Sequence, residues 1–260
     1  MSLFLETYVR QLTKWREELC GDNVEIIRTP QALTITMADG LGSGVKANIL
    51  ATLTTKIASS MLREGADIDE VIATIAQTLP VCKVRELAYS TIAILQIKPN
   101  GECYLAEFDT PDTILLKNGQ LQNIARVERV IAGRSIRESH FTLELGDTVI
   151  LISDGVIHAG LGMALNMGWQ WDNVAKYLST LSAKQHSLRS MVSSLVNTCG
   201  HLYGGKPGDD ATVVGLRASE PLPVTILSGP PQDRSEDGQL VRSFLDCPGA
   251  KVICGGSTAQ

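Results

Sequence analysis

Between Ser90 and Gln122 the chain alternates short β-rich runs with tight-turn signals. STIAILQI and ECYLAEF flank Pro99-Asn100-Gly101, and TILLK meets QLQNI at Asn118-Gly119. Proline fixes φ and glycine reaches positive φ, so such pairs reverse a chain within a few residues and leave the flanking runs as adjacent antiparallel strands. NVEIIRT, ALTITMAD, HFTLELGDTVILISDG and DATVVGLRA add further strands, with Pro30-Gln31 between the first two. Helical patterns separate them: 45–64 closed by Gly65, 69–79, 171–181 and 188–202. Strands and helices thus come in blocks instead of alternating. That order predicts an α+β fold, a layered α-β-β-α sandwich with mostly antiparallel sheets covered by helix pairs.

The two ends of the chain read differently from this centre. In 4–19, Leu5, Tyr8, Val9, Leu12, Trp15 and Leu19 fall at helical spacing with charges opposite. The spacing predicts an amphipathic N-terminal helix over 1–20, packed either on the core or in the seam of a homodimer. The main domain is expected over 21–218. From 219 to 260 the composition shifts to EPLPVTILSGPPQDRSEDGQ, read as a Pro-rich linker. A short helix and a strand running into Gly255-Gly256 follow, read as the start of a further module.

Composition narrows the partners. With 44% hydrophobic residues, 20% charged residues and a formal net charge of -5, the chain carries no basic footprint for nucleic acid or an anionic membrane. No apolar run approaches the roughly 18 residues of a membrane helix, and the N-terminal stretch mixes charges of both signs, unlike a signal peptide. The six cysteines are scattered without a C-x-x-C pair, as expected of thiols in a cytoplasmic protein.

Acids recur where strands end. ITMADG closes on Asp39-Gly40, VILISDG on Asp154-Gly155, and GKPGDDATVV places Asp209 and Asp210 just before a strand. Asp22 opens another in CGDNVEI. Each pair alone is an ordinary turn. Gathered together, the carboxylates would repel and protonate unless a hard divalent cation compensated them. Glycine beside each acid lets backbone approach closely, so the Gly40 carbonyl could join such a site.

Taken together, Gly21-Asp22, ADGLGSGVKA (38–47), ISDG (152–155) and GDDATVV (208–214) resemble the metal-dependent, type 2C serine/threonine protein phosphatases, and most of all their bacterial SpoIIE-like branch. The resemblance covers 21–216. It implies a type 2C-like phosphatase domain with two divalent cations, Mn²⁺ or Mg²⁺. Asp39 would bridge the ions, the Gly40 carbonyl would bind one, Asp154 and Asp209 would hold the other, and Asp22 would act through water. Asp210 matches a position that orients its neighbours. A metal-bridging hydroxide would hydrolyse phosphoserine or phosphothreonine of a phosphorylated protein substrate in bacterial signalling. The alternative is a degenerate phosphatase fold acting as a binding module. The phosphate-gripping N-terminal arginine of eukaryotic members has no clear equivalent. Arg28 and Lys46 are the nearest candidates, and His158 is a candidate general acid. His140, His186 and His201 have no partner spacing.

Overall fold

The computed structural model of the protein describes residues 3–78 and 90–255. They fall into two compact units, Met1–Ser219 and Glu220–Gln260. Leu79 and Cys82 lie outside the described residues.

A strand whose residues are apolar throughout must be covered on both faces. In VILI of strand β10 (Thr148–Ile152), Val149 and Leu151 enter one core while Ile150 and Ile152 enter another. It lies in a five-stranded antiparallel sheet ordered β1-β11-β10-β6-β7, formed with β1 (Phe4–Leu12), β6 (Ile114–Lys117), β7 (Gln120–Gln122) and β11 (Ala211–Ser219). The second sheet is six-stranded and also antiparallel, ordered β2-β3-β4-β5-β9-β8. Its strands are β2 (Asp22–Arg28), β3 (Leu33–Asp39), β4 (Ile92–Ile97), β5 (Glu102–Phe108), β8 (Val127–Ile131) and β9 (Arg134–Thr142).

Leu33, Ile35, Met37, Leu95 and Leu105 of this sheet meet Val149, Leu151, Val214 and Leu216 of the other in the central core. Helices α1 (Gly44–Arg63) and α2 (Ile68–Thr78) cover the outer face of the six-stranded sheet, through Ala58, Val71 and Ile72 on Ile92 and Ile94. Helices α4 (Trp171–Ala183) and α5 (Leu188–Leu202) cover the other sheet. The short α3 (Asp154–Ile157) follows β10 directly. The unit is the α-β-β-α sandwich that the hairpin pattern predicts.

The N-terminal helix is not present. Phe4–Leu12 is an edge strand paired along its whole length with β11, from Phe4↔Ser219 to Leu12↔Ala211. Leu5 and Val9 join the central core, while Tyr8 and Leu12 pack on the α5 side. A strand with apolar contacts on both faces places apolar residues at 5, 8, 9 and 12, which mimics helical spacing. The β-branched and aromatic Thr7-Tyr8-Val9 was the contrary signal. β8 was also missed, because four of its five residues are exposed and show no alternation.

The second unit corrects the linker reading. VTILS forms strand β12 (Val224–Ser228), framed by prolines on both sides. It pairs in parallel with β13 (Ala250–Cys254) through the connecting helix α6 (Asp237–Asp246), whose Phe244 is buried.

Two truncations separate these roles. Ending the chain at Ser219 keeps the full β1–β11 register and should leave the cooperative melt of the first unit unchanged. Removing 1–12 strips an edge strand from two cores and should abolish that melt, as followed by circular dichroism. A normal melt without 1–12 would show that β1 is dispensable.

Candidate metal centre

Register brings the acids to one end of the sandwich. In the six-stranded sheet Asp22 at the start of β2 lies directly across from Asp39 at the end of β3. In the other sheet Ile152, last in β10, pairs with Val213, so Asp154 after β10 lies beside Asp209-Asp210 before β11. β1 bridges the sheets here: Gln11 Nε2 donates to the Asp22 carbonyl and to Thr212 Oγ1, each at 3.1 Å.

The glycines serve close approach. A methyl on Gly40 would sit 2.0 Å from the Ala47 carbonyl oxygen of α1, and one on Gly155 would sit 1.9 Å from the Asp210 carbonyl oxygen. Asp39 is fixed through its backbone, its carbonyl accepting from Thr91 N at 2.9 Å and from Ser90 Oγ at 2.9 Å. Tyr203 Oη, donating to the Gly155 carbonyl at 2.7 Å, anchors the Asp154 turn.

Electrostatically this end is strained. Asp22 is almost completely buried, and neither carboxylate oxygen has a hydrogen-bond partner; Asp154 Oδ1 is also buried and unpartnered. Burial, with the charges of Asp210 and Asp154 nearby, pushes Asp22 up to about 6, against the pull of the Thr212 and Ser153 hydroxyls. Burial, then the charges of Asp22, Asp154 and Asp209, pushes Asp39 up to about 9. Burial and Asp154 also raise Asp209, against the pull of Lys14.

Lys14 was not singled out by sequence, because its segment read as the polar face of a helix. Its Nζ lies 3.5 Å from Asp209 Oδ1, and its backbone N–H donates to Asp210 Oδ1 at 2.9 Å. The segment after β1 is a strap over the acids. Trp15 N donates to the Pro207 carbonyl at 2.8 Å, and Ser43 Oγ donates to Glu17 Oε1 at 2.7 Å.

Other candidates stand apart. Arg28 is at the far end of β2, about 20 Å along the strand from Asp22, donating to the Leu5 carbonyl. Lys46 is exposed on the first turn of α1. His158 follows α3, its backbone N–H donating to the Asp154 carbonyl. The His140 ring meets Tyr104 at a tilt, and His186 contacts Ser190 Oγ.

The sequence matches the Stage II sporulation protein E (SpoIIE) family over residues 29–219. The chain belongs to the SpoIIE family. Asp39, Asp154 and Asp209 lie inside the matched region, and Asp22 lies before it. No individual curated protein matches the chain. Solved structures share the fold at low identity. The PP2C phosphatase domain of SpoIIE from Bacillus subtilis with a fragment of its regulatory domain superposes with a TM-score of 0.71 at 19% identity, covering 85% of this chain and 64% of that one. The SiaA PP2C domain of Pseudomonas aeruginosa gives 0.65 at 19% over 80% and 85%. RsbX in complex with magnesium gives 0.61 at 20% over 83% and 96%.

The donor set fits a hard divalent cation: oxygen only, with buried orphaned carboxylates that lack a compensating charge. Among the described residues no three of these side chains converge into a ready-made ligand cluster. They share one rim, with Asp209 turned toward Lys14.

The pH dependence has a definite sign. Acids raised in the folded state bind more protons there than in the unfolded chain. Their contribution is most favourable below about pH 4 and is lost as pH rises through 6 and 9. In chelator, the melting temperature should therefore fall between pH 5 and 9, and saturating Mn²⁺ should flatten the decline. A chelated protein that gained stability over this range would contradict the strained rim. Separately, Gly155→Ala should destabilise by several kcal/mol, because its methyl meets rigid backbone.

Proposed function

We propose that the chain is a metal-dependent phosphoprotein phosphatase that hydrolyses phosphoserine or phosphothreonine in a cytoplasmic bacterial signalling protein. The carrying observation is the rim itself: four aspartates from both sheets, two with buried orphaned oxygens, in a chain of the SpoIIE family. The magnesium bound by RsbX supports the choice of cation.

Asp39, the Gly40 carbonyl, Asp154 and Asp209 would hold divalent cations, with Asp22 beside them in the rim. Bound cations would neutralise the carboxylates and supply Lewis acidity toward water and the phosphoryl group. The chain's own groups set the geometry. The Thr91 and Ser90 bonds hold the β3 end, and Tyr203 holds the Asp154 turn. Asp210, occupied by the Lys14 backbone N–H, positions the strap instead of binding metal.

A second reading, a catalytically weak binding module, is favoured by one contact, the Lys14–Asp209 ion pair.

Hydrolysis of p-nitrophenyl phosphate should require Mn²⁺ or Mg²⁺ and vanish in excess chelator. Asp39→Asn, Asp154→Asn and Asp209→Asn should each lower the rate by about two orders of magnitude or more. Asp210→Asn should be milder, and Asp172→Asn, at an exposed helix start, should be silent. Turnover in excess chelator would overturn the reading. Abolition by Asp210→Asn but not Asp209→Asn would exchange their roles, and metal binding without turnover would favour the binding module.

A further inference from the structure

Two hollows meet at the wall formed by Asp109, Thr110 and Pro111. One, with room for about a single water at about 10 Å³, is lined by Asp39 and Asp154. The other, a groove of about 450 Å³, runs from Asp154 along the same wall to Glu128, Ser135 and Arg137. A path therefore leads from the acidic rim onto the surface of the β8–β9 pair.

The wall is held rigidly. Asp109 has φ of 53°, in the left-handed region, and Pro111 fixes the next bend but one. Arg137 Nη2 donates to the Thr110 carbonyl at 2.7 Å, and its Nη1 bonds Asp112. Fully buried Glu107 accepts from Arg126 Nε at 2.9 Å and from Thr113 N at 2.7 Å. Arg126 and Arg137 thus balance Glu107 and Asp112.

Asp109 and Glu128 have no ion-pair partner among the described residues, although Glu128 lies across from Arg137 in register.

We propose that the groove receives the polypeptide on one side of the phosphorylated residue and selects a lysine or arginine there. Asp109 and Glu128 face the cationic side chain. This rests on the phosphatase reading above. It adds a sequence preference, set by surface acids outside the metal rim.

The test uses the full chain with Mn²⁺ and three phosphoserine peptides that differ only in carrying Lys, Ala or Glu at the positions flanking the phosphoserine. We expect kcat/KM in the order Lys, Ala, Glu, with steps of about three- to fivefold, the size of a partly exposed ion pair. The steps should shrink as salt rises. Glu128→Lys should erase or invert the order, while Asp172→Lys, a matched charge reversal elsewhere, should keep it. An enzyme that turns over p-nitrophenyl phosphate but shows no preference, or prefers Glu, overturns the groove alone. One inactive on every substrate overturns the groove and the phosphatase reading together.

Discussion

Carboxylates buried without a compensating charge are the constraint around which the first unit is arranged. Neither oxygen of Asp22 has a partner, and Asp39 is pushed up to about 9 by burial and its acidic neighbours. Such groups weaken a fold in isolation. Their positions follow from register: β2 against β3 sets Asp22 opposite Asp39, and β10 against β11 sets Asp154 beside Asp209. The two apolar sheet faces then clamp these ends together. Gly40 and Gly155 allow contacts at which any side chain would collide with backbone.

Much of this was legible before the structure. β10 announced itself as an unbroken apolar run, and β3 as a run of apolar and β-branched residues, because both faces of each are buried. The two hairpins followed from Asn100-Gly101 and Asn118-Gly119, whose glycines adopt positive φ. The acids stood out because each lies beside a glycine at a strand end. What failed also failed for a physical reason. β1 is covered on both faces, so its apolar residues lost the period of two and fell into a helical one. β8 is an exposed edge, and burial leaves no pattern there. VTILS in the second unit was hidden by flanking prolines, which bound a strand as readily as they break one.

The strap and the wall could not be read from sequence. Lys14 reaches Asp209 only because β1 ends beside β11, a pairing across almost two hundred residues. Asp109 and Thr110 have no local signature, and their importance comes from sharing a wall with Asp154. Residues that build the rim are set by local chain chemistry, whereas residues that shape access to it are set by tertiary packing. The first kind shows in a sequence, and the second needs the fold.

On the proposed function, divalent cations relieve a rim that is strained alone. The most direct measurement is the melting temperature of the wild type and of Asp39→Asn at pH 8, each with chelator and with saturating Mn²⁺. A crossing is expected. In chelator Asp39→Asn melts higher, by about 2–4 °C for each kcal/mol of repulsion and desolvation relieved. With Mn²⁺ the wild type melts higher, because the substitution weakens cation binding. A variant less stable than the wild type in chelator, together with no effect of Mn²⁺ on either protein, would contradict the claim.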